Sequence, residues 1–202
     1  MHTPIPEAEL DVFKQLGDMQ VIFDVGARTD TVYLSLVPGA EFHLFEVNPV
    51  FFEELKKNVG DTPNVYLNNF GLGDVEGDFF YNSNSQALSG GAIEFEVANG
   101  MLPVKRLDDY AQDKQIDFLK IDTEGYDYKV LVGGQNTLSK VRFIQYEHWD
   151  DKQIFHTLLE KQFDMVYIGY RNVLCMNKKL VPKKTRTKIQ KYIEDKKYAL
   201  LS

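Results

Sequence analysis

The sequence predicts an α/β fold: a mostly parallel sheet with helices on both faces and an antiparallel pair at one edge. Three observations carry this. Apolar runs of strand length alternate with helix-length segments along most of the chain, the pattern of βα units wound around a parallel sheet. The last two runs, 165–170 and 173–176, lie too close together for a parallel crossover of a dozen or more residues, so they pair antiparallel. Charged residues stand at the C-terminal ends of the runs, above all Lys120, Asp122 and Glu124, where open α/β sheets bind ligands.

Each element follows from its own residues. Glu7 to Leu16 reads as an amphipathic helix stopped at Gly17. Val21 to Val25 is a strand running into Gly26, and Thr31 to Val37 a short helix closed by Pro38-Gly39. Glu41 to Val47 is a second strand. Asn48-Pro49 then opens a helix towards Gly60, with Asn as cap and Pro in the first turn. Asn64 to Phe70 is a third strand. Short strands are expected at 78–81 and 94–97, around a Ser/Asn/Gly-rich stretch that makes 83–102 a candidate lid. Val104 to Gln112 is expected to hold a helical turn. A strand at 116–122, a helix at 126–138, a strand at 142–148 and a helix at 153–161 precede the terminal pair.

The chain has 202 residues, enough for one sizeable domain over 1–177 with an N-terminal helix within 1–19. Residues 178–202 hold nine Lys/Arg and two Asp/Glu, a basic, helical tail of charge +7. The net charge is -7, so residues 1–177 carry -14. An acidic body disfavours nucleic acid and anionic lipid, and no strong nucleic-acid signal appears. No apolar run approaches the roughly 20 residues of a membrane span. The N-terminus lacks the basic and apolar regions of a secretory signal. With Cys175 as the single cysteine, a reducing, cytoplasmic setting is expected.

Two strand ends carry a nucleoside signal. Asp24-Val25-Gly26-Ala27-Arg28 follows the first strand, and Glu46-Val47-Asn48 follows the second. An acid about 20 residues beyond a glycine turn bonds ribose hydroxyls in nucleotide sites. Gly26 would let backbone approach such a ligand closely. A dinucleotide also asks for G-x-G-x-x-G around its pyrophosphate, whereas this turn reads Gly26-Ala27-Arg28-Thr29-Asp30. Asp24 and Asp30 would oppose a pyrophosphate but tolerate a sulfonium and an ammonium. The pattern therefore favours S-adenosylmethionine, with an NAD-linked oxidoreductase as the alternative.

The segments DVGA (24–27), FEVNP (45–49), GLGD (71–74), LDDY (107–110) and DFLKIDTEGYDYKVLVGG (117–134) resemble the FkbM family of S-adenosylmethionine-dependent methyltransferases, over roughly residues 20 to 150. The resemblance implies the Rossmann-like class I methyltransferase fold, with seven strands, one of them antiparallel. It also implies O-methylation of a hydroxyl on a small polar acceptor such as a saccharide or natural product. Asp24, Gly26 and Ala27 would line the methionine part of the cofactor, and Glu46 would hold the ribose. Val47 and Asn48 would lie beside the adenine, with Asn69, Phe70, Gly71 and Leu72 on its other side. The family's first turn reads D-V-G-A-N-x-G. Here Arg28 and Asp30 replace Asn and Gly, and Arg28 is placed to pair with Asp30 or with the methionine carboxylate. A noncatalytic cofactor-binding module is the alternative that this departure raises.

Methyl transfer to an alcohol needs a base and correct placement. Asp122 and Glu124 would sit near the methyl group, and His148, titrating near neutrality, is a further base. Lys120 shares a strand face with Asp122 and would hold a carboxylate ionised. A divalent metal on Asp122, Glu124 and His148 is the alternative to a base, although no pair has zinc-ligand spacing.

Overall fold

The computed structural model describes residues 7–80, 101–148, 152–169 and 171–196. In chain order it runs α1 (Glu7–Phe13), β1 (Val21–Val25), α2 (Tyr33–Leu36), β2 (Glu41–Phe45), α3 (Pro49–Val59), β3 (Val65–Asn68), β4 (Gly71–Gly73) and β5 (Gly77–Phe80). There follow β6 (Met101–Arg106), α4 (Leu107–Ala111), β7 (Ile116–Ile121), α5 (Asp127–Gly133), β8 (Val141–Glu147), α6 (Lys152–Leu159), β9 (Phe163–Ile168), β10 (Asn172–Asn177) and α7 (Lys183–Asp195).

The main sheet has seven strands in the order β3-β2-β1-β7-β8-β10-β9. Strands β3, β2, β1, β7 and β8 run parallel, and β10 lies antiparallel to both β8 and β9. The chain moves outward from β1 to β3 and then returns to β7 on the other side of β1. The order thus reverses between β1 and β7, a switch point at whose C-terminal crevice open α/β sheets bind ligands.

Alternation along the strands sends side chains into two cores. Ile22, Phe42, Leu44, Phe118 and Phe143 pack under α1, α3 and α7. Phe23, Phe45, Leu119, Ile121 and Ile144 pack under α4, α5 and α6. Both faces of β1, β2, β7 and β8 are therefore largely buried, which explains their near-continuous apolar runs. The basic C-terminal stretch contributes to the first core, because Ile189 and Ile193 of α7 are buried there. Arg186 pairs with Asp164 of β9, and Tyr192 donates to Asp11 of α1.

The helical turn expected within 104–112 is α4, and Val104 to Arg106 belong to β6, which pairs with β4 and β5 in a second, three-stranded sheet that the sequence did not predict. The helix expected over 126–138 ends at Gly133, and a 3₁₀ turn covers Thr137–Lys140. Gly133 packs so closely on β4 that an added Cβ would lie 1.8 Å from the Gly73 carbonyl oxygen. The Asp30 carboxylate accepts from the Thr31 N–H at 2.7 Å, just ahead of the α2 N-cap residue Val32. The Asn48 cap is as expected, its side chain accepting from the Val50 N–H at 2.8 Å. The lid expected over 83–102 lies outside the described residues, apart from the opening of β6, as do the strand at 94–97, Trp149 and Tyr170.

Candidate active site

The strand ends at the crevice are latched to one another by backbone. Gly26 and Ala27 N–H both donate to the Phe45 carbonyl at 3.0 Å, Asp122 N–H to Val25 at 2.9 Å, and Glu46 N–H to Asn68 at 3.0 Å. This brings Asp24, Gly26, Ala27, Glu46, Asn48 and Asp122 to one rim. Gly26 is needed for a reason the sequence did not supply. Its φ is +86°, and a Cβ there would lie 2.0 Å from the Asp122 carbonyl oxygen. This close approach joins β1 to the end of β7.

Glu46 is 6% exposed and is presented by two backbone donors. The Arg28 N–H meets one carboxylate oxygen at 2.9 Å and the Asn48 N–H the other at 2.7 Å. Each oxygen keeps a lone pair, so the carboxylate can still accept from two hydroxyls. Burial raises its pKa, opposed by the Asn48 and Arg28 N–H groups. Arg28 takes φ +56° to aim its N–H at Glu46, a conformation that costs a non-glycine residue about 1–2 kcal/mol. Its guanidinium stands 5.4 Å over the Phe51 ring. Asn69 donates to the Glu46 and Val47 carbonyls at 2.8 and 3.3 Å, which ties the end of β3 to the end of β2. Phe70 packs on Phe45 and Tyr110, with Lys105 over its ring. Gly71 abuts the Val47 side chain, and Leu72 is a core residue under α4 and α5.

On β7, Lys120 is 6% exposed. It pairs with Asp122 at 3.0 Å and with Asp24 at 3.9 Å. Burial opposes its charge, but Asp122, Asp24, Tyr33 and Glu9 outweigh that and hold its pKa well above the usual lysine value. Burial raises the pKa of Asp24, with Lys120 opposing. Glu124 follows in a left-handed conformation, φ +54°. Its pKa is raised by burial and by Asp122, while Arg28, Lys120 and Arg171 oppose. A raised pKa makes this carboxylate a stronger base.

Asp127 was not singled out in the sequence, though it lies inside the 117–134 motif. It is 1% exposed and accepts from the Thr123 N–H (3.1 Å), the Thr123 hydroxyl (2.6 Å) and the Glu147 N–H (3.0 Å). It thereby ties the loop carrying Asp122 and Glu124 to the end of β8. Burial pushes its pKa up to about 7 against those three bonds. His148 lies one residue beyond Glu147 and so on the opposite face of β8. Its ring meets Tyr167 edge-on, and its Nε2 is buried without a hydrogen-bond partner. Burial, then Lys152 and Arg171, lower its pKa. The described contacts join Asp122 to Lys120 and not to His148. Among the described residues, no three His, Cys, Asp or Glu side chains gather as a metal site.

The methyltransferase FkbM domain family matches residues 24–173. The chain belongs to the FkbM methyltransferase family. This FkbM methyltransferase is 25% identical to the 2-O-methyltransferase NoeI of Sinorhizobium fredii, over 74% of this chain and 73% of that protein. It is 26% identical to the hexuronic acid methyltransferase AglP of Haloferax volcanii, over 66% of this chain and 57% of that protein. A solved FkbM methyltransferase from Methylobacillus flagellatus shares the fold with a TM-score of 0.56 at 13% identity, covering 78% of this chain and 43% of that one. The chain thus spans less than two thirds of AglP and less than half of the M. flagellatus protein. Family and fold imply use of S-adenosylmethionine, and the dinucleotide alternative is set aside. No helix among the described residues is long and apolar enough to cross a membrane.

Proposed function

We propose that this FkbM methyltransferase is an S-adenosylmethionine-dependent O-methyltransferase acting on a hydroxyl of a small polar acceptor of the saccharide class. One observation carries the reading: Asp24, Glu46 and Asp122 meet at the crevice where strand order reverses, with Glu46 held by two N–H groups so that it faces the rim ready to accept. The chemistry of NoeI and AglP, as their names give it, supports an acceptor hydroxyl on a sugar.

The residues present fit the cofactor. Glu46 would hold the ribose hydroxyls, with Val47, Asn48, Asn69, Phe70, Gly71 and Leu72 enclosing the adenine side. Asp24, Gly26, Ala27, Arg28 and Asp122 would take the methionine part. When bound, the cofactor supplies a methyl group already activated on a sulfonium. The chain must then orient the acceptor and remove its proton. Lys120 fixes Asp122 towards the rim, and Glu124 stands beside it with a raised pKa, so this pair serves proton removal. His148 shapes the acceptor side from the far face of β8.

Thermal unfolding with S-adenosylmethionine and S-adenosylhomocysteine tests the cofactor. Ligand at 100 times its dissociation constant should add about 2.7 kcal/mol. Incubation with methyl-labelled cofactor and a panel of sugars and uronic acids tests the acceptor. Label should move to a hydroxyl, and Asp122→Asn should slow turnover far more than it weakens binding. An unshifted melting curve at millimolar ligand would overturn the reading.

A further inference from the structure

Helix α1 lies outside the 24–173 segment that the family covers, yet it places an acid against the site. Asp24, Lys120 and Gln145 sit side by side across β1, β7 and β8. They form a polar row on a face that is otherwise apolar. Glu9 covers this row. It is 4% exposed and accepts from the Gln145 side-chain amide. The charged and titratable groups facing it are Lys120 and Asp122 from β7 and its end, Glu147 of β8, and Tyr33 of α2. Lys120 is the single cation of this cluster, and Asp122 and Asp24 already exceed its charge. Asp122 is partly exposed to water, so the uncompensated charge would fall on the buried Glu9 carboxylate itself, and holding it ionised there is unfavourable.

We propose that Glu9 is a positioning residue of the site that holds a proton in the cofactor-free protein and surrenders it when a cationic cofactor occupies the rim. The inference rests on the cofactor reading above. In the step, the Glu9 O–H bond breaks and the proton passes to buffer. The carboxylate left behind balances the net single positive charge of S-adenosylmethionine, whose sulfonium and ammonium outnumber its one carboxylate. Burial, opposed by Lys120 and reinforced by Asp122 and Glu147, places the Glu9 pKa at about 7 in the free protein. S-adenosylhomocysteine has the same amino-acid group but a neutral sulfur, so it should drive less release.

Calorimetric titration at pH 7 in buffers of different ionisation enthalpy counts the protons. About half of the Glu9 carboxyls carry a proton at that pH, so binding of S-adenosylmethionine should release up to about half a proton more than binding of S-adenosylhomocysteine. In Glu9→Gln the difference between the two ligands should shrink, what is left belonging to Asp24, Glu124 and Asp127, whose pKa values burial also raises. Comparing the two ligands cancels groups that respond to the shared adenosine and amino acid. Equal release by wild type overturns the proposal, and that comparison stands even if the variant does not fold. An undiminished difference in a folded Glu9→Gln also overturns it, while leaving the cofactor reading intact. Binding of neither ligand by folded wild type removes both.

Discussion

Replacing Asp127 by Asn tests how burial and hydrogen bonding compete where the loop carrying Asp122 and Glu124 is tied to β8. The side chain accepts three hydrogen bonds, two from Thr123 and one from Glu147. Asn offers one acceptor oxygen, and its amide then faces a donor on the other side. One N–H loses its partner, at a cost of about 1–3 kcal/mol at every pH. A second effect depends on pH. The folded-state pKa of Asp127 is about 7 against an ordinary 3.8, because burial penalises the ionised form. The native protein therefore binds the extra proton between those values. The stabilisation is full below the unfolded pKa and is lost as pH rises through the folded one. Each unit is worth about 1.4 kcal/mol, so wild type should lose about 3 kcal/mol at this position between pH 5 and pH 8. The Asn variant cannot lose it. Urea unfolding of both proteins at each pH should show the variant weaker at pH 5 and gaining about 3 kcal/mol on wild type by pH 8, enough to match or pass it. A deficit that stays constant, or widens as pH rises, would refute the assigned balance.

Other perturbations test separate contacts. Gly26→Ala forces a Cβ against the Asp122 carbonyl at positive φ and should cost about 3 kcal/mol from overpacking and strain together, read as a fall of about 6–12 °C in Tm for a chain this size. Glu46→Ala should weaken S-adenosylmethionine binding by about 1.5–3 kcal/mol, the scale of hydrogen bonds to a charged group; unchanged affinity in calorimetry would remove its ribose role. Ile193→Ala in α7 should destabilise by about 2–5 kcal/mol, because this side chain is fully buried against the first core. A loss under 0.5 kcal/mol would mean that α7 is a loosely attached tail.

The parallel strands were legible because their runs are apolar on both faces, and the Asn48-Pro49 helix start because capping is local. Acids at the ends of β1, β2 and β7 stood out for the same reason: a charge ending a dry strand is chemically conspicuous. The second sheet was missed because β4 is three residues long and β6 begins with Met-Leu-Pro, which carry no clear alternation. Glu9 was missed because in sequence it is an ordinary acid in an amphipathic helix of seven residues. Only its packing over Gln145 distinguishes it.

Local order therefore determined which residues become strands, where helices start, and which acids end up at strand ends, since propensity, alternation and capping act between near neighbours in the chain. The tertiary structure alone decided what those acids meet. It set Lys120 between Asp24 and Asp122, filled the space beside Gly26 with the Asp122 carbonyl, and buried an acid from α1 over the same row. Such contacts join residues up to 136 positions apart, as Glu9 and Gln145 are. The charge state of a buried carboxylate depends on every group folded around it, and no stretch of sequence carries that sum.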